Sequence, residues 1–141
     1  MTTRVSYNLQ DALLIKQCNF PSAAGTVTTE SLDLGSIADR GVRIDPFELL
    51  VIAPEAAIAE LPADTSNTFS LQFCDTPEFT AGVLEWSAGT AWQQAGSANG
   101  SAAFERRFRP ATDALRYVRA KCVTAGSAVQ TGKSFQLVIV T

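Results

Sequence analysis

Three β-type runs crowd the sequence between positions 102 and 140: residues 102–108, 115–124 and 134–140. The last contains Phe135-Gln136-Leu137-Val138-Ile139-Val140, the most hydrophobic stretch of the chain, with one residue after it. A short apolar run rich in β-branched residues belongs inside a sheet, with a paired neighbour on each side. Earlier segments must supply those neighbours, so the fold is non-local. Pro110 and Asp113 mark one turn-rich separator and Gly126 and Gly132 the other.

The upstream sequence supplies further strands. Residues 1–10 are polar and read as an extended N-terminal arm preceding a single β-sandwich domain, 11–141. The arm is expected to be ordered by a neighbouring subunit or a larger assembly. The apolar run in 11–20 fits a strand or a short helix; the turn at Pro21 and Gly25 and the β-prone Thr26-Val27-Thr28-Thr29 favour a strand. Leu32 and Leu34 alternate in a short edge strand, and 36–46 reads as a loop. Phe47-Glu48-Leu49-Leu50-Val51-Ile52 is apolar on both faces and therefore central. Residues 55–64, bracketed by Pro54 and Pro62, read as a connecting loop. In 68–74 the alternation is clean: Phe69, Leu71 and Phe73 share one face, Ser70, Gln72 and Cys74 the other. Val83-Leu84-Glu85-Trp86 is another strand, and 88–101 reads as a long small-residue connection carrying Trp92. Roughly seven or eight short strands with turn signals every 8–12 residues or so predict an all-β fold. Long connections favour Greek-key crossings, hence a two-sheet antiparallel β-sandwich of jelly-roll type with minimal helix. Its core should contain Phe69, Leu71, Phe73, Val118, Phe135, Leu137 and Ile139.

Composition narrows the function classes. A chain of 141 residues buries enough surface to fold without a staple. Its three cysteines, Cys18, Cys74 and Cys122, are odd in number and widely spaced, which fits free thiols in a reducing compartment. There is no histidine, so the commonest general base and metal ligand is missing. Asp33, Asp39 and Asp45 lack the tight glycine turn of a calcium loop. Gly132-Lys133-Ser134 lacks the upstream glycine and the following helix of a phosphate loop. Asp75, Glu78 and Glu85 flank one loop but read as turn and surface acids rather than a catalytic pair. The expectation is a protein without catalytic residues, cofactor or metal, and not an enzyme. The formal charge of -3 argues against a nucleic-acid partner, and no run reaches membrane-spanning length. Trp92, beside Gln93, Gln94 and Asn99, is the one aromatic suited to a lectin-like site.

The charge pattern is uneven. Of 11 Lys and Arg, six fall between 106 and 121: Arg106, Arg107, Arg109, Arg116, Arg119 and Lys121. Strand parity puts Tyr117, Arg119 and Lys121 on one face and Val118, Ala120 and Cys122 on the other. The short Pro110 connection suggests that the two flanking strands lie close together and form one positive stripe. Solvated pairing with Glu48 or Glu85 is the bland reading; an interface charge ladder is the functional one.

Phe108-Arg109-Pro110-Ala111-Thr112-Asp113-Ala114-Leu115-Arg116-Tyr117-Val118-Arg119-Ala120-Lys121-Cys122-Val123-Thr124, the loop from Gly126 to Gly132, the apolar final strand, the run from Ala12 to Ile15 and Leu32-Asp33-Leu34-Gly35 together resemble the capsid cement, or decoration, proteins of tailed bacteriophages, in particular the Bordetella phage cement protein family. The resemblance spans most of the chain. It implies a jelly-roll-like protein on the outer capsid surface of a virion, assembled in the host bacterial cytoplasm, that clamps neighbouring major capsid protein subunits. It also implies a homo-oligomer, a dimer in preference to a trimer. Interface candidates are Arg107, Arg116, Tyr117, Arg119 and Lys121, with Arg4 and Tyr7 from the arm. The rival reading is a carbohydrate- or receptor-binding sandwich module of a virion.

Overall fold

The computed structural model describes residues 15–34, 48–110 and 115–140. Among these residues, ten strands form two antiparallel sheets packed face to face, with one 3-10 turn at Gly89–Trp92. The first sheet has the order β1 (Ile15–Asn19), β10 (Ser134–Val140), β4 (Glu48–Ala53), β8 (Phe104–Phe108). The second has the order β2 (Gly25–Thr28), β9 (Tyr117–Ala125), β5 (Ser66–Cys74), β6 (Leu84–Ser87). Two short strands lengthen its edges: β3 (Leu32–Asp33) continues β2 along β9, and β7 (Gln93–Ala95) continues β6 along β5.

The final strand has the two neighbours its composition demands. Leu137 of β10 lies opposite Lys16 on one side and Val51 on the other. β4 is also interior, between β10 and β8. On β5 the inward row is Asn67, Phe69, Leu71 and Phe73, all buried. All seven core residues expected from the pattern are buried. The densest packing joins four rings across the sandwich. Phe69 stacks on Phe104 at 4.7 Å and meets Phe135 edge-on at 5.4 Å, while Phe20 lies 5.3 Å from Phe135. Such offset and edge arrangements add to the gain from area burial alone.

Two features differ from the sequence-based expectations. The 88–101 connection is not plain loop: it holds the 3-10 turn and β7, and Trp92 drops into the core at 5% exposure against Trp86. Ser70 and Cys74, on the outer face of β5, are buried as well. The loop at 75–82 folds back over Cys74, whose Sγ donates to the Ala81 carbonyl at 3.2 Å. Finally, β8 and β9 do not lie side by side. One is the edge of the first sheet and the other is interior to the second.

At one end of the sandwich the loops around 54–65, 96–103 and 126–133 close over a buried polar cluster that no expectation included. Asn67 accepts from Thr124 Oγ1 at 2.8 Å and from Gln130 Nε2 at 2.9 Å. Its Nδ2 donates to Gln94 Oε1 at 3.1 Å and to Gln130 Oε1 at 2.8 Å. Gln94 Nε2 in turn donates to the carbonyls of Pro54 and Ala102. Among the described residues no buried side-chain nitrogen or oxygen lacks a partner. The residues 1–10, with Arg4 and Tyr7, lie outside the described residues, as do Phe47, Asp39, Asp45 and Asp113.

Candidate protein-interaction face

The outer face of the second sheet is built from alternate residues of β9 and β5. Register places Lys121 opposite Ser70, Arg119 opposite Gln72, and Tyr117 opposite Cys74, with Glu85 of β6 opposite Gln72 on the far side. Parity alone therefore put Tyr117, Arg119 and Lys121 on the correct face. Their inward alternates Val118, Ala120 and Cys122 are buried.

These side chains form one connected lattice. Lys121 Nζ sits 3.1 Å from Glu85 Oε1. Gln72 donates from Nε2 to the same Glu85 oxygen at 2.9 Å, while its own Oε1 accepts from Arg119 Nε at 2.8 Å. The hydrogen bond from Gln72, followed by Lys121, holds the Glu85 carboxyl below its usual range. Arg119 also lies flat on Phe79, its guanidinium carbon 4.2 Å from the ring centre. Phe79 itself is buried and comes from the loop that covers Cys74.

The remaining candidates are distributed differently. Arg116, at the entrance to β9, grips Asp33 bidentately with Nε–Oδ1 at 2.9 Å and Nη2–Oδ2 at 3.0 Å, and also lies over the Tyr117 ring. Arg107 belongs to the other sheet and pairs with Glu48 at 3.2 Å; Arg109 reaches the second Glu48 oxygen at 3.9 Å. The expected single positive stripe is therefore two separate groups. Arg107 and Arg109 flank one sheet edge, and Arg116, Arg119 and Lys121 line the face of the other sheet. The partners Glu48 and Glu85 are those the bland reading named. Asp33 and Gln72 are partners that sequence reasoning missed; the Leu32-Asp33-Leu34 alternation, which turns Asp33 away from the core, was the available signal.

Other candidates resolve in geometry. Trp92 is buried edge-to-face against Trp86 at 4.8 Å, so it offers no exposed stacking platform and the lectin-like candidate is corrected on that ground. Asp75 and Glu78 are exposed, and no group of three metal-ligating side chains gathers among the described residues. Cys18, Cys74 and Cys122 are free thiols. Burial pushes the Cys122 thiol up to about 12, which removes it as a nucleophile. No helix among the described residues is long and apolar enough to cross a membrane. No family model matches the chain, and no curated protein matches it in sequence.

Proposed function

We propose that the chain is a structural virion protein that binds the outside of a tailed-phage capsid and cements contacts between major capsid protein subunits. The observation that carries this reading is the outer face of the second sheet. There Arg119, Gln72, Glu85 and Lys121 are ordered against one another on a strand surface, rather than converging on a cavity. A surface whose charged side chains are already held in place loses little freedom on meeting another protein.

The strand order supports the jelly-roll reading. If β2 with β3 and β6 with β7 each count as one interrupted strand, two four-stranded antiparallel sheets remain. The chain passes from one sheet to the other at nearly every step, as two Greek keys require. The resemblance of 108–124 to cement-protein sequence points the same way. Function as a homo-oligomer, with the dimer preferred, belongs to the same proposal.

The test is the position of the protein in the particle that contains it. Electron microscopy of virions should show one sandwich-sized density bridging adjacent capsomers on the outer surface. Particles lacking the protein should release DNA at lower temperature. Absence from the virion, or a position in the tail, refutes the reading.

A further inference from the structure

Every cation among the described residues can be assigned a partner, and the assignments leave one guanidinium unspent. Lys16, Arg107, Arg109, Arg116, Lys121 and Lys133 each lie within ion-pair distance of an acid. Arg106 spends its nitrogens on the carbonyls of Ala91 and Glu105. Arg119 differs from all of these. Its Nε is taken by the neutral amide of Gln72, and its two terminal nitrogens make no hydrogen bond within the described residues.

We infer that Arg119 is a preorganised receptor for a carboxylate of a protein partner. Two contacts fix its plane. Gln72 holds Nε at 2.8 Å and is itself held by Glu85, so the amide cannot turn without breaking a second bond. Phe79 supports the guanidinium face at 4.2 Å. With Nε and one face occupied, the terminal nitrogens are left as the outward fork, the geometry that matches a carboxylate.

Phe79 itself provides the second line of argument. Its backbone φ is +55°, a left-handed conformation that bulky side chains rarely adopt. The surrounding contacts must hold it there. Phe79 N–H donates to the Thr76 carbonyl at 3.4 Å, Ala81 accepts from Cys74, and Gly82 supplies the left-handed exit at φ +71°. What this strained turn delivers is an aromatic ring beneath one particular arginine. Exposed Asp75 and Glu78 in the same loop, and Glu85 across the sheet, disfavour a polyphosphate running past the site. A single side-chain carboxylate avoids that repulsion more easily.

This inference rests on the proposal that the face binds protein, and its test separates the two. Full-length protein and its variants are bound to capsids lacking it, and affinity is read by co-sedimentation. Arg119→Lys keeps the charge and loses the planar fork, and should weaken binding about tenfold. Phe79→Leu keeps apolar cover over Cys74 and should weaken binding less. It should also speed rotation of the Arg119 guanidinium about its Nε–Cζ bond, seen as exchange broadening of its terminal Nη–H resonances in the free protein. Lys16→Gln, on the other sheet, should bind within about twofold of wild type. Folded Arg119→Lys that binds like wild type overturns the inference and leaves the cement reading standing. If wild type itself does not bind capsids, the cement reading fails, and the receptor is read on its own by titrating the labelled protein with a Glu-rich peptide. A saturable shift of the Arg119 side-chain resonance, absent with the Gln-rich counterpart, supports it. No shift, or a stronger response to an oligonucleotide, overturns it.

Discussion

Asn67 is the residue whose loss the structure makes most costly for its size. Asn67→Ala removes a fully buried carboxamide that makes four hydrogen bonds. Left behind are both ends of the Gln130 amide, Gln94 Oε1 and Thr124 Oγ1, all on buried residues. An unsatisfied buried polar group costs about 1–3 kcal/mol. The vacated space is polar-lined and about large enough for one water, which can restore two or three of the four bonds. The expected loss is therefore about 3–5 kcal/mol, rather than four full penalties. For a domain of this size each kcal/mol shifts the melting temperature by about 3 °C, so the midpoint should fall by about 10–15 °C. Thr124→Val alone removes one donor while Asn67 Oδ1 keeps Gln130, and should cost about 1 kcal/mol. In the Asn67→Ala background the same change deletes a hydroxyl left with only a long 3.8 Å contact to Cys122 Sγ and should be nearly neutral, a coupling that a double-mutant cycle reads directly. Urea and thermal melts of the four proteins by circular dichroism decide the matter. A midpoint for Asn67→Ala within about 3 °C of wild type, or strictly additive costs, refutes the cluster as a cooperative unit.

The aromatic core orders two further variants. Phe135→Ala empties a fully buried site touching Phe20 and Phe69 and should cost about 4–5 kcal/mol. Phe73→Ala, at the periphery beside Phe108, should cost nearer about 3 kcal/mol, and equal or reversed costs in urea melts would show the core centred elsewhere. Alkylation in denaturant without reductant should add three labels by mass, because Cys18, Cys74 and Cys122 are free; a species with only one label would reveal a disulfide. Glu85 has a folded pKa below its unfolded value of 4.5, so its stabilising contribution is present above that pH and is lost as pH falls through the folded pKa. Glu85→Gln should therefore flatten the acid limb of the stability profile below pH 4.5, and an unchanged slope there would remove Glu85 from the lattice.

Local pattern revealed the strands, and non-local geometry decided the rest. β10 and β5 were legible because burial on one face imposes a period of two on the side chains. Carried one residue upstream of the predicted strand, the same parity reaches Asn67, which lies in the row of Phe69, Leu71 and Phe73 although its polarity argues for the surface. Its partners Gln94 and Gln130 lie 27 and 63 positions away, and nothing in their neighbourhoods announces a shared cluster. The short Pro-containing connection after β8 reads as keeping β8 and β9 close together. A chain segment of that length can form a hairpin or cross to the facing sheet, and its turn residues do not say which. Arg116 and Arg119 were indistinguishable in sequence. What separates them is that β3 delivers Asp33 to one and the 75–82 loop delivers Phe79 to the other.

The loop end of the sandwich and the outer face of its second sheet solve opposite problems, and the contrast bears on where a partner docks. At the loop end three connections stack so closely that a side chain at Gly96 or Gly100 would overlap the carbonyls of Pro62 or Ala56, and one at Gly126 would crowd the Asp64 carbonyl. Backbone groups buried there have no strand to pair with, and a buried carbonyl without a donor is costly. The amide of Gln94 meets the Pro54 and Ala102 carbonyls, and Asn67 holds that amide in place. Polar side chains at this end are thus consumed in closing the fold. On the outer face of the second sheet the same kinds of side chain, an amide and a guanidinium, are held equally firmly. There, however, the guanidinium of Arg119 ends in two nitrogens that make no hydrogen bond among the described residues. An ordered group that leaves the protein's own hydrogen bonding unfinished is what a binding surface requires, since its ordering cost is met before the partner arrives.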